Sequence, residues 1–338
     1  MSTGPFSDIR VVVYGVGTMG ALATRLLVDK GAKIVGAVGR SSSKVGRDLG
    51  EVAGLGKHLG VPIESDAEAV LTRGADVAVV CVGSYLNSMH EHFETCLENG
   101  VNVVTIEEET VFPWTTAPDH AEALDALAKA KGVTLAASGA QDVFWLNLVT
   151  TLLGASHRID RIVGHCRWNV GDYGPEVANH LLIGRSKEDF DEFVKTSGWP
   201  EFVARQTLEA LVARLGLKVA SIASDVTAVT SSEQIHCRSL NTEVPPGHVI
   251  GTIDRTVVTT REGPQFEFAM EGRIYRDGET DNNFWKVQGE PNLQLNCEDA
   301  NYRFTTCSTL VNRIPDVIAA APGLCSLDML TPPRYRHH

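Results

Sequence analysis

"VVVYGVGTMG", residues 11–20, decides how the chain begins. Val11, Val12 and Val13 are β-branched and apolar, which suits a strand buried on both faces. The run stops at Gly15, and Gly17 and Gly20 complete a G-x-G-x-x-G spacing. A glycine directly after a strand permits a tight turn. A second lets the backbone approach a pyrophosphate, and a third lets the following helix pack closely on the strand. The helix starting there offers free N–H groups to an anion. Between a strand and a helix, Gly15, Val16, Gly17, Thr18, Met19 and Gly20 read as a dinucleotide loop rather than a turn that binds nothing.

Similar apolar runs recur at 33–39, 75–83, 101–107 and 133–139. Amphipathic stretches separate them, clearest in "SYLNSMHEHFETCLENG" (84–100) and "APDHAEALDALAKAKG" (117–132). Both end in glycine, a common helix stop. Alternating runs of this kind predict a doubly wound α/β parallel sheet of the Rossmann type over residues 1–140. After Gly139 the rhythm changes. "DVFWLNLVTTLLGA" (142–155) reads as a buried helix and "RIDRIVGHCRWNV" (158–170) as a strand. A helical block follows from about 174 to 216, and strand–turn–strand patterns fill 218–296, with turn chemistry at "REGP" and "RDGE". A second, α+β domain with a mixed sheet is expected over 141–300. The segment 301–338 carries a helix ending at Pro322-Gly323, expected to pack back on the first domain.

Composition narrows the function classes. A chain of 338 residues suggests about two domains. A net charge of −12 without a basic cluster disfavours nucleic-acid and anionic-membrane surfaces. No apolar run approaches the roughly 18 residues that span a bilayer, and "MSTGPFSDIR" lacks the apolar core of a signal peptide. The seven cysteines form no C-x-x-C pair. Reduced thiols in a cytoplasmic protein without a metal site fit that pattern best.

The end of the second strand selects the cofactor. NAD sites usually place an acid there for the ribose hydroxyls. "GAVGRSSSKVG" (36–46) has none, and offers Gly39, Arg40, Ser41 and Ser42, then Ser43 and Lys44. A guanidinium and several hydroxyls suit a 2′-phosphate. NADP is therefore expected, with NAD tolerated. The third long run ends in Cys81, Val82 and Gly83, which topology should lay along the dinucleotide.

One strand further on, "VNVVTIEEETVFPW" (101–114) ends in Glu107, Glu108 and Glu109. Three adjacent acids usually form a solvated cap. Beyond the carboxyl end of a Rossmann strand, beside Phe112 and Trp114, one of them can instead be desolvated and functional. If the backbone stays extended, Glu107 and Glu109 point one way and Glu108 the other.

The glycine loop, "TIEEE", the α+β half and the closing "LVNRIPDVIAAAPGL" (310–324) together resemble the dihydrodipicolinate reductase-like superfamily. Within it the chain is most similar to the 2,4-diaminopentanoate dehydrogenases and native NAD(P)-dependent amine dehydrogenases. That resemblance implies NADP(H)-dependent reductive amination, with Glu108 as the catalytic residue, Glu107 beside the cofactor, and a homodimer formed through the second domain's sheet. The substrate signatures of dihydrodipicolinate reductase itself are absent from "HCRWNVGDYGP" (165–175).

In the second domain, period-two alternation puts Cys166 and Trp168 on one strand face. With Ala140, Gln141, Val143, Phe144 and Trp145, that face suggests a small, mostly apolar ketone or aldehyde, aminated with ammonia. Trp145 is expected to narrow the pocket, and Tyr173 and His180 are polar candidates. The alternatives are an NADP-dependent reductase of a preformed imine or carbonyl and, in another class, a non-catalytic NADP-binding sensor.

Overall fold

The computed structural model describes residues 5–199 and 203–337. They form two compact units, Met1–Val143 with Arg303–His338, and Phe144–Tyr302. In the first unit strands and helices alternate: β1 (Arg10–Tyr14), α1 (Thr18–Asp29), β2 (Lys33–Val38), α2 (Leu49–Val52), β3 (Ile63–Glu64), α3 (Ala67–Leu71), β4 (Val77–Val80), α4 (Leu86–Glu98), β5 (Asn102–Thr105), α5 (Pro118–Lys131) and β6 (Thr134–Ala137). The apolar runs become central strands because both faces are covered, and Val11–Val13 and Val77–Val80 are fully buried.

All pairings in this sheet are parallel, in the order β15-β6-β5-β4-β1-β2-β3, where β15 is Gly323–Cys325. The edge strands β3 and β15, of two and three residues, are too short for a hydrophobic period to register. Strand order reverses at β1, flanked by β2 and β4. The binding crevice of such a sheet lies beyond the carboxyl ends of the strands at that point. Helix α10 (Tyr302–Ala319) leads into β15, so the C-terminal segment is built into the first unit.

The second unit holds a six-stranded mixed sheet. Its order is β14 (Leu293–Glu298), β13 (Asn282–Glu290), β7 (Arg158–Asn169), β12 (Gln265–Arg273), β11 (Val249–Thr260), β8 (Val219–Thr230). Only β7 and β12 run parallel. A small hairpin, β9 (Ile235–Cys237) with β10 (Thr242–Val244), stands apart. The expected helical block resolves into α7 (Pro175–His180), α8 (Lys187–Ser197) and α9 (Ala204–Arg214). Strand β12 shows why the sheet has an inside: Phe266, Phe268 and Met270 are buried, while Gln265, Glu267 and Glu271 alternate outward. The stretch read as one buried helix is a π-helical turn, Gln141–Asn147, continued by α6 (Leu148–Leu153). Single π turns cluster at functional sites. No helix among the described residues is long and apolar enough to cross a membrane.

Candidate active site

The glycine loop has the geometry its spacing demands. Gly15 has φ +94°, and a Cβ there would lie 2.4 Å from the Cys81 carbonyl oxygen. At Gly20 a Cβ would stand 1.8 Å from the Gly15 oxygen, whereas around Gly17 there is open space. Only glycine fits the first and third positions, and the second leaves room for a ligand's approach. Helix α1 begins at Thr18 with no side-chain cap and no acid in its first turn, so its leading amides have no internal anion. Met19 turns its carbonyl to the Cys307 thiol, 3.4 Å away. These residues fit a dinucleotide pyrophosphate.

Cys81 and Val82 lie directly against Gly15, with Gly83 following, so the ends of β1 and β4 meet as expected. Val82 is exposed, an apolar side chain at the crevice edge. Arg40, Ser41 and Ser42 are exposed beyond Gly39, and the Ser41 and Ser43 hydroxyls are 2.8 Å apart. The Arg40 charge is felt at the end of β1. Burial pushes Tyr14 up to about 12, against the pull of Arg40, and His92 is held low by burial and by Arg40. Lys44 donates to the Val16 carbonyl at 2.7 Å, tying this turn to the glycine loop. The nearest acid along the sheet edge, Glu64, is bound by the Arg73 guanidinium at 2.6 and 2.7 Å and so is not a free ribose ligand. Exposed donors without a free acid suit a phosphate.

The three glutamates part company. β5 ends at Thr105 and Glu108 has φ −77° and ψ −34°, so the chain has already turned into a 3-10 turn, Glu109–Val111. Strand alternation therefore does not sort them. Glu107 is fully buried, and its carboxylate accepts from the Glu109 and Thr110 amides at 3.1 and 2.7 Å. Glu107, expected beside the cofactor, uses both carboxylate oxygens to cap the turn. Burial pushes its carboxyl up to about 8, against hydrogen bonds from Thr110 and with the Glu108 and Glu109 charges adding to the rise. Glu109 accepts from the Leu86 amide at 2.8 Å. Glu108 is different. One oxygen, Oε2, is buried without a hydrogen-bond partner. Burial raises its carboxyl to about 7, offset in part by a hydrogen bond with Ser84.

The remaining expected residues fall in separate places. In the first unit Ala140 and Gln141 are buried and Val143 is half-buried, and Gln141 folds its side chain against Gly139. In the second unit Phe144 and Trp145 join an aromatic group with Phe268, Trp285 and Tyr302, at centroid distances of 4.9–5.9 Å. The Phe144 carbonyl accepts from Trp285 Nε1 at 3.0 Å. Cys166 is fully buried on the inner face of β7. Trp168 lies over Gly272, where a Cβ would sit 2.3 Å from the indole, and meets Tyr173 edge-on at 5.3 Å. His180 is exposed at the end of α7, its ring 5.8 Å from Trp199. The structure thus gathers Phe144 with Trp145 and Trp168 with Tyr173, and leaves His180 outside both pairs.

Sequence reasoning missed Ser84, although it stands inside "CVGSYLN". It also missed Asp142 and Arg313, a fully buried ion pair at 2.7 and 2.9 Å to which Ser138 adds a hydrogen bond. No periodicity links two charges 171 positions apart. Among the described residues no three His, Cys, Asp or Glu side chains are grouped to hold a metal.

Comparison with known proteins agrees with this layout. Residues 9–109 match the family model of the dihydrodipicolinate reductase N-terminus. Residues 144–336 match that of the 2,4-diaminopentanoate dehydrogenase C-terminal domain. The 2,4-diaminopentanoate dehydrogenase of Acetoanaerobium sticklandii is 25% identical over 96% of this chain and 94% of its own. A 4-hydroxy-tetrahydrodipicolinate reductase of Archaeoglobus fulgidus is 37% identical, but only over 28% of this chain and 35% of its own. The solved amine dehydrogenase of Mycobacterium smegmatis is 47% identical, superposes with a TM-score of 0.94 and covers 98% of both chains. With a NAD(P)-binding dehydrogenase fold in the first unit and this match through the second, the chain belongs to the 2,4-diaminopentanoate dehydrogenase family.

Proposed function

We propose that the protein is an NADP(H)-dependent amine dehydrogenase. Ketone or aldehyde, ammonium, NADPH and a proton give primary ammonium, NADP and water, and the reverse direction is oxidative deamination. The single observation that carries this is Glu108, whose Oε2 is buried and unpartnered while Glu107 and Glu109 are engaged by backbone amides. When bound, the reduced nicotinamide supplies the hydride. Glu108 takes the proton released as ammonia adds to the carbonyl, returns it to the hydroxyl that leaves as water, and as a carboxylate then stabilises the iminium cation electrostatically. A carboxyl raised to about 7 exchanges protons near neutral pH, as that role requires. NADP is favoured by Arg40 and the serines after it, and nothing in that turn repels NAD. The substrate class, small and mostly apolar, is supported by Phe144 and Trp145 and by the inner face of β7, where Ile162, Gly164 and Cys166 carry no cation.

A homodimer through the outer face of the six-stranded sheet completes the proposal. Val163, Val257 and Phe284 sit half-exposed there among the Arg161–Glu267–Arg255 ion pairs. The seven free cysteines suit a cytoplasmic setting.

The test is NADPH consumption over a series of short ketones, with and without ammonium. Turnover that requires both co-substrates supports the reading. Consumption with ketone alone makes the protein a carbonyl reductase, and binding without turnover under any condition makes it a sensor. In the same series, Trp145→Ala should shift activity toward longer ketones.

A further inference from the structure

The structure assigns Glu109 as the positioning residue that holds Glu108 against the loop after β4. This rests on the reading of Glu108 as the catalytic group. Helix α4 is long enough to need a cap, yet the Tyr85 side chain at its N-cap position does not cap it and its first turn has no acid. Its leading amide is instead satisfied from outside. Glu109 Oε2 accepts from the Leu86 amide at 2.8 Å, 23 positions away in sequence. The residue on one side of this bond is Glu108, whose raised carboxyl Ser84, two residues before Leu86, pulls down. The Glu109–Leu86 bond therefore ties the β5 loop to the start of α4, next to the residue that acts on Glu108. Glu107 closes the frame from below by capping the turn that carries Glu109.

Local capping would be cheaper in sequence: a Ser or Asp at position 85 does it. The cross-loop bond does something a local cap cannot. It fixes Glu108 relative to the loop that leads from β4 into α4. Its requirement is an acceptor at the end of a long side chain. Negative charge is not required.

Four variants separate positioning from capping. Glu109→Gln keeps an acceptor oxygen of the same reach, so kcat for ammonia-dependent turnover should stay within about twofold of wild type. Glu109→Ala should lower kcat about 10–100-fold, the cost of misplacing a catalytic group by roughly an ångström, with the NADPH dissociation constant unchanged. Tyr85→Ser supplies a local cap, and alone it is the reference for the double variant Tyr85→Ser/Glu109→Ala. The double variant should recover the thermal midpoint lost in Glu109→Ala but not its kcat. Recovery of both would reduce Glu109 to a helix cap and overturn the assignment. A Glu109→Gln as slow as Glu109→Ala would overturn it too, because the charge would then be what matters. A fully active Glu109→Ala does the same. Loss of turnover in Glu108→Gln is the separate control: if that variant is active, the reading of Glu108 itself fails, whatever Glu109 does.

Discussion

Replacing Glu108 by Gln should make the protein more stable, and only above acid pH. The Glu108 carboxyl rises from its ordinary 4.5 to about 7, chiefly because burial disfavours the charge. In the unfolded chain it titrates near the ordinary value. Below pH 4.5 both states are protonated and the residue costs nothing. Between pH 4.5 and about 7 the unfolded chain releases the proton that the folded chain keeps, so stability falls as pH rises. Above about 7 the loss is complete. At about 1.4 kcal/mol per unit, a rise of roughly 2.5 units amounts to about 3 kcal/mol. Glutamine has the same shape and no charge to bury, so the penalty disappears. Denaturant unfolding of wild type and Glu108→Gln at pH 4 and pH 8 measures it. The gain should be near zero at pH 4 and about 2–3 kcal/mol at pH 8. An equal gain at both pH values, or a larger one at pH 4, refutes the argument that a desolvated carboxylate is held there. The same titration should set the acid limb of wild-type turnover near pH 7. Ser84→Ala should move that limb upward, since the Ser84 hydrogen bond holds the carboxyl down.

Arg40→Ala should weaken NADPH more than NADH by about 1.5–3 kcal/mol, the loss of one charged hydrogen bond. Fluorescence titration of both cofactors checks it, and equal losses would remove Arg40 from the 2′-phosphate site. Arg313→Leu takes both guanidinium bonds from the buried Asp142 carboxylate and should cost about 3–5 kcal/mol. Removing both charges in Asp142→Leu/Arg313→Leu should cost less than Arg313→Leu alone, as read from chemical melts. Simple addition of the two single losses would show that the pair is not the source of the effect.

How much of this was legible in the sequence depended on how local the cause was. The glycine loop could be read because its three constraints lie within six residues and act on backbone geometry alone. The turn and the close helix–strand approach it predicts are both present at Gly15 and Gly20. The long strands could be read from apolar runs for the same reason. Strands β3 and β15 could not be read, because two or three residues carry no period, and a sheet edge is chosen by its neighbour. Alternation put Cys166 on one face of β7 but could not say that this face is fully buried, since a period does not say what covers it.

The glutamates show the limit most sharply. Glu108 was singled out by strand alternation together with family resemblance, and the first of these reasons does not hold, because the backbone is no longer extended at that residue. What distinguishes it is subtraction. Three carboxylates enter a loop that offers buried amides at Glu109, Thr110 and Leu86, and Glu107 and Glu109 take all three. Glu108 keeps a buried oxygen with no amide to meet it. A solvated cap would have exposed all three acids at little cost. Burying Glu107 whole and leaving a buried Glu108 oxygen unmet is expensive, about 1–3 kcal/mol or more for a charged group. Under the proposed function, that cost falls where a reacting proton and a cationic intermediate would use it. The physical signature of the site is thus the unmet hydrogen bond, and no spacing in "TIEEE" encodes which of the three will lack one.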